Sequence, residues 1–248
     1  MKRIATIAVA VTFLLGAATA AQAELMGELG ILDTSGNNPA TGAPWTQGDQ
    51  YRLAFHTSTD QRTTAVSTDI STYNAWVQGV AEASTVYDLS GATWKVIGST
   101  ADVAARDNTS TNPEVQGAGH AIFLLDGSTV VANDFDDLWD GTIQNPIGIT
   151  ELGTEWTHWP FTGTAQDGTP APGPGANYGP LGSTGQVNQG QASGTTTWIT
   201  RAWTGAGATS ELPMYAMSDP LEVVPEPATL ALLGLGGLGT LIARRRRK

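Results

Sequence analysis

The sequence predicts an α+β fold, a single domain with long loops, framed by a secretory leader and a C-terminal transmembrane helix. Three observations carry this expectation. Ile70, Tyr73, Val77, Val80 and Ala81 recur at helical spacing behind Asp69, the pattern of a helix that buries one face and starts at a side-chain cap. Short strand-like runs lie on either side of that helix, bounded by clusters of Gly, Pro, Ser and Asn. Both chain ends, finally, carry an apolar run beside basic residues, a composition foreign to a water-soluble core.

At the start, Met1-Lys2-Arg3 is basic, Ile4 to Ala18 is apolar, and Ala21-Gln22-Ala23 is a small-x-small site. Together they read as a secretory signal peptide, residues 1–23, cleaved after Ala23; a retained N-terminal membrane helix is the alternative. Residues 24–50 are rich in turn formers and read as an N-terminal extension, with one short strand around Leu29 to Leu32. The exported domain is expected over 51–222. Its first firm strand is Tyr51 to Thr57, followed by the helix after Asp69, a strand over Trp94 to Ile97 and a short helix over Ala101 to Arg106. Ala121 to Leu125 reads as a buried strand ending in the turn Asp126-Gly127. Asp134 to Asp140 reads as a short helix closed by Gly141.

Beyond Glu155, Trp156, Trp159 and Phe161 cluster ahead of a Gly/Pro/Ser/Thr/Gln stretch from Gly163 to Thr195 that has no periodicity. A stretch of that length is either a binding loop or slack connection. Trp198 to Trp203 and Leu212 to Met217 read as closing strands. Leu221 to Val224 leads out, and Pro225 ends the pairing because it has no backbone donor.

The chain's formal charge is −11. Between the two end segments it is more acidic still: Arg52, Arg62, Lys95, Arg106 and Arg201 are the five cations set against twenty-two acids, a net of −17. Such a charge repels phosphate backbones and anionic headgroups, which argues against a nucleic-acid partner. Cysteine is absent, so packing alone holds the core, with eight Trp to supply buried area. No cofactor is expected. Asp134, Asp136, Asp137 and Asp140 read as the outer face of a helix, with a cation site as the alternative; the segment lacks the Gly and Glu positions of a calcium-binding loop. His56 and His120 read as satisfied structural histidines. His158, between Trp156 and Trp159, is the better candidate for a ligand contact, because aromatic faces stack on sugar rings and an imidazole can bond their hydroxyls. Tyr178 and Trp198 complete the candidate ligand contacts. No nucleophile elbow and no singled-out carboxylate pair is present, so an enzyme is not expected.

The tail 223–248 holds Val224-Pro225-Glu226-Pro227, an uncharged run from Ala228 to Ala243, and Arg244-Arg245-Arg246-Arg247-Lys248. Sixteen helical residues reach about 24 Å, a little short of a bilayer core of about 30 Å, and the terminal cations hold their end in the cytoplasm. The motif Val224, Pro225, Glu226, Pro227, the Leu/Gly-rich span and the Arg cluster resemble the PEP-CTERM sorting domain. That resemblance implies recognition by exosortase, a membrane transpeptidase of Gram-negative bacteria that also make exopolysaccharide. It further implies a transient stage in the inner membrane and delivery to the cell surface or extracellular matrix.

The order of segments in the exported region is similar to a bacterial lectin-like family with the endostatin, C-type-lectin-like fold. The residues carrying this are Asp69 to Ala83, Trp94 to Thr100, Ala105-Arg106-Asp107-Asn108, Ile122 to Gly127, Val130 to Gly141, Pro146-Ile147 and Phe161-Thr162-Gly163-Thr164. Family members usually carry cysteines that brace the long loop, and this chain has none. The resemblance implies a protein that acts by binding or as a structural part, with a carbohydrate-binding module as the alternative within that frame; a secreted hydrolase is the alternative of another class, since any acidic chain offers carboxylate pairs. Exopolysaccharide or another glycan is the implied partner. The glycan-binding Glu-Pro-Asn and Trp-Asn-Asp signatures are absent, so calcium-dependent sugar binding is not implied.

Overall fold

A computed structural model describes residues 24–173, 178–201 and 205–226. The expected signal peptide, with Ala21 and Ala23, and the expected transmembrane span 228–243, with Pro227 before it, lie outside the described residues. Among those described, no helix is long and apolar enough to cross a membrane.

The architecture is mostly β, with few helices. In chain order the elements are β1 (Leu25–Gly27), β2 (Gln50–His56), α1 (Ile70–Glu82), β3 (Trp94–Val96), α2 (Ala105–Asn108), α3 (Pro113–Gln116) and β4 (Ile122–Leu124). There follow β5 (Val130–Ala132), α4 (Phe135–Trp139), β6 (Gln186–Asn188), β7 (Gly205–Gly207), β8 (Tyr215–Ser218) and β9 (Leu221–Pro225). β2 is the axis of a seven-stranded sheet. On one side it pairs parallel with β4; on the other, the chain from β8 into β9 runs antiparallel along its length.

Alternation along β2 divides the core in two. Tyr51, Leu53 and Phe55 point to one face, where α1 lays down Tyr73, Val77, Val80 and Ala81 beside Trp94. These positions are spaced as a helix stripe requires, and Asp69 starts the helix by accepting from the Ser71 amide at 2.9 Å. Arg52, Ala54 and His56 alternate to the other face. There Ala54 packs with Ile122, Leu124, Tyr215, Met217, Leu138, Trp139 and Trp198.

α4 forms as its sequence prescribes. The Asp134 carboxylate accepts from the Asp137 amide at 2.8 Å, and Asp137 accepts from the Asn133 amide at 2.6 Å. Gly141, at φ +104°, follows the C-terminal end. Two of the four aspartates are thus spent on capping, while Asp136 and Asp140 are exposed.

Four local expectations are corrected. No strand forms over Leu29–Leu32; Gly30 closes a turn onto the Gly27 carbonyl, and the strand lies earlier, in β1. The first short helix starts at Ala105, because the Thr100 amide turns onto the Val103 carbonyl and Ser99 Oγ accepts from the Ala105 amide. No strand spans Trp198–Arg201; Trp198 and Ile199 are core residues there, and Ala202 to Thr204 lie outside the described residues. Residues 24–50 are not a separate extension, since β1 pairs with β9, and Leu32 and Trp45 are buried in the same unit.

The long Gly/Pro stretch is packed rather than slack from Tyr178 to Gly194. Leu181, Val187 and Ala192 are buried. The Leu181 amide donates to Ser99 at 2.8 Å, the Gly182 amide to Ala65 at 2.8 Å and the Asn188 side chain to Thr164 at 2.6 Å. Gly163 makes this docking feasible: at φ +61° it lets the Ser99 and Leu181 backbones approach where a Cβ would overlap both.

Candidate functional site

The surface ledge is built where three segments meet at the C-terminal end of β2. The His56 amide donates to the Ile149 carbonyl and the Trp156 amide to the Gly148 carbonyl, each at 2.9 Å, which lays residues 148–150 between the strand end and Trp156. Farther along, the Gly190 amide donates to Pro160 at 3.0 Å, the Ala192 amide to His158 at 3.0 Å, and the Arg201 amide to Gln189 at 2.7 Å. This lacing brings Arg201 across to Trp159.

The result is a run of rings from the surface into the core. Trp159 is 45% exposed, the largest exposed aromatic among the described residues, and the Arg201 guanidinium lies 4.1 Å from its ring centre. His158 follows at 6.0 Å and stacks on Trp156 at 5.0 Å, while Arg62 sits 5.4 Å from Trp156. Trp156 meets His56 edge to face at 5.0 Å; His56 meets Tyr215, Tyr215 meets Trp198, and Trp198 meets Trp139. With His158 stacked on Trp156 and Arg201 over the Trp159 ring, the exposed part of Trp159 is the stacking surface the ledge offers, and Arg62, over Trp156, is its second cation.

Of the five expected ligand contacts, Trp156, His158 and Trp159 are brought together. Trp198 is fully buried in the core beneath them and presents no surface to a ligand. Tyr178 is half-buried and packs over Gly205 beside the β6–β7 strand pair.

Beneath the ledge the polar groups are under-satisfied. Both ring nitrogens of His56, the Tyr215 hydroxyl, the Trp198 indole nitrogen and His158 Nδ1 are buried without a hydrogen-bond partner. The expectation that His56 is a satisfied structural histidine is therefore corrected. Burial, with a smaller contribution from nearby His158, pushes the His56 imidazole down to about 3, so it stays neutral at neutral pH. His158 is lowered too, by burial first and Arg62 second. Sequence reasoning found the ledge through aromatic clustering but missed His56, Arg62 and Arg201, because the contacts joining them are made by tertiary pairing.

A second concave region lies toward the other end of β2. Arg52, Lys95, Ser110, Gln116, His120 and Asp219 are among the residues lining a cleft of about 580 Å³. His120, expected to be a satisfied structural histidine, stands in its wall, with its imidazole pushed down by burial and by Arg52. No site residue here was expected from sequence, since these positions are scattered over five segments.

At the chain's exit, Val224 and Pro225 belong to β9, in register with Met26 and Leu25, and Glu226 follows directly. Among the described residues no group of His, Cys, Asp and Glu side chains is placed to hold a metal ion.

Residues 223–248 match the PEP-CTERM protein-sorting motif. That motif marks an exported, envelope-directed protein sorted by exosortase. No curated protein matches the chain.

Proposed function

We propose that the domain is an exported glycan-binding module of C-type-lectin-like architecture, sorted to the cell surface or matrix by its tail, and that it acts by holding polysaccharide at the Trp159 ledge. The observation that carries this reading is the exposed indole of Trp159 with Arg201 at 4.1 Å and Arg62 close by on Trp156. An indole face takes the apolar face of a sugar ring. Arg201 over that indole and Arg62 over the neighbouring Trp156 supply fixed donors for ring hydroxyls. The pairing of first and last strands, with the aromatic residues carried on long irregular segments between them, supports the lectin-like architecture.

The role is proposed as binding rather than catalysis: the ledge offers stacking surface and permanent cations, which hold a polymer without transferring protons to it. Exosortase is the processing partner, and a transient stage in the inner membrane precedes release.

The test is retention of the mature protein on exopolysaccharide from an exosortase-bearing host. Trp159→Ala is expected to weaken retention at least tenfold while leaving the melting temperature within about a degree, because the side chain is surface-exposed. Equal retention of the wild type and Trp159→Ala would exclude the ledge as the binding site and move it elsewhere on the domain, and no retention of either would leave a structural role.

A further inference from the structure

The feature that the glycan reading does not use is the cleft of about 580 Å³ around Arg52, a size within the roughly 300–1,000 Å³ typical of small-molecule sites. Arg52 is 2% exposed. Its Nη1 donates to the Ser218 carbonyl at 2.8 Å and its Nη2 to the Ser110 carbonyl at 3.2 Å, while Nε is buried without a partner. Phe135 lies below the guanidinium, 5.3 Å from ring centre to Cζ. Ser110, at φ +54°, is the one non-glycine residue with a left-handed backbone among those described, and its carbonyl is one of the two that hold Arg52.

The charge in the cleft does not balance. Among the described residues the ion pairs are Lys95–Asp219, at 3.2 Å, and Arg106–Glu114. Arg52 has no carboxylate bonded to it, and the one acidic group lining the cleft is Asp219, already paired to Lys95. Two cations therefore share one carboxylate, leaving one positive charge uncompensated in a domain whose net charge is −17. A buried, uncompensated cation is costly, and a counterion bound only by the folded state relieves that cost.

We infer that this cleft is a binding site for a carboxylate, and specifically for the carboxylate of a sugar acid. A monoanion matches the single unbalanced charge, whereas a dianion would overshoot it beside Asp219. Arg52 and Lys95 take the carboxylate, and Gln50, Gln116, Ser110 and His120 around the wall offer donors and acceptors for ring hydroxyls. The inference is independent of the Trp159 ledge.

Calorimetry and thermal melting of the mature protein with glucuronate, glucose, sulfate and inorganic phosphate test it. Glucuronate is expected to bind one per chain and raise the melting temperature, with glucose at least tenfold weaker and neither dianion stronger. Gln116→Glu, an exposed cleft residue, places a competing carboxylate in the site and is expected to weaken glucuronate at least tenfold without unfolding the protein. Arg52→Gln is expected to abolish binding, and Trp159→Ala to leave it unchanged. A uronate oligomer binding more tightly than the monomer assigns the ligand to a polymer; equal affinity assigns it to the free acid. Equal binding of glucose and glucuronate, tighter binding of sulfate or phosphate, no glucuronate binding at millimolar concentration, or full binding by a folded Gln116→Glu would each overturn the assignment.

Discussion

Along one face of β2, four residues and roughly 13 Å apart, stand two buried bases that answer burial in opposite ways. His56 sheds its charge: in a ring-lined environment its imidazole falls to about 3 and is neutral at pH 7. Arg52 cannot. Burial lowers its guanidinium only to about 10, with Asp219 resisting the shift, so the charge persists across the physiological range. The contrast sets what each end can bind. The His56 end is an uncharged aromatic stack whose cations, exposed Arg62 and half-buried Arg201, lie over Trp rings. The Arg52 end keeps its cation inside, where it attracts an anion. Buried atoms without hydrogen-bond partners occur at both ends, and at the Arg52 end they include a nitrogen of a guanidinium that is itself almost wholly buried.

The sharpest way to break this comparison is acid. The unfolded imidazole of His56 takes a proton near pH 6.5 and the folded one near 3, so between those values the unfolded chain holds more protons and stability falls as pH falls. The loss approaches 1.4 kcal/mol per pH unit below 6.5, or about 2 kcal/mol at pH 5. His158 and His120, also lowered, act with the same sign. Urea melts at pH 7 and pH 5 are expected to show this loss in the wild type and most of it removed in His56→Phe, which keeps the ring and cannot be protonated. A slope unchanged by His56→Phe would mean that His56 is charged in the folded protein and that the two ends of β2 do not differ in the way described.

What the sequence made legible follows the range of the interactions. α1 and α4 were readable because a helix writes its stripe and its caps within one window; Asp69, Asp134 and Gly141 stand where the pattern placed them. β2 and β4 were readable as dense apolar runs. The packed segment 178–194 was not: it is held by hydrogen bonds to Ser99, Ala65 and Thr162–Thr164, and its composition of Gly, Ser, Thr and Gln is equally that of a loose linker. The site divided in the same way. Trp156, His158 and Trp159 are sequence neighbours and were found as a cluster, whereas Arg52, Ser110, His120 and Asp219 converge only when β8 and β9 fold back along β2.

A smaller effect sharpens the neutral end. The Tyr215 hydroxyl is buried without a partner, and burial drives its acidity far down, raising its pKa well above the ordinary phenol value. Removing an unpaired buried hydroxyl takes away a desolvation cost and leaves the ring packing in place. Tyr215→Phe is therefore expected to be neutral or stabilising by up to about 1 kcal/mol in urea melts. A loss above about 1 kcal/mol would show that the hydroxyl bonds to a trapped water, and that the polar atoms of His56, Tyr215 and Trp198 form a hydrated pocket rather than a dry one.

The smallest effect belongs to the charged end and separates stability from binding there. Lys95 and Asp219 pair at 3.2 Å with about a third of each side chain open to water, so solvent screens them and the pair contributes little. Lys95→Gln is expected to change stability by less than about 0.5 kcal/mol at physiological salt. In the same variant Asp219 is left to Arg52 alone, so the cleft loses its excess positive charge. Glucuronate affinity should then fall although the fold is untouched. Denaturant melts and calorimetry on one preparation check both halves. Intact affinity in Lys95→Gln would place the binding energy on Arg52 without the charge imbalance, and a loss of stability well beyond 0.5 kcal/mol would mean that the pair is structural, with Lys95 holding β3 to the turn between β8 and β9 rather than tuning the cleft.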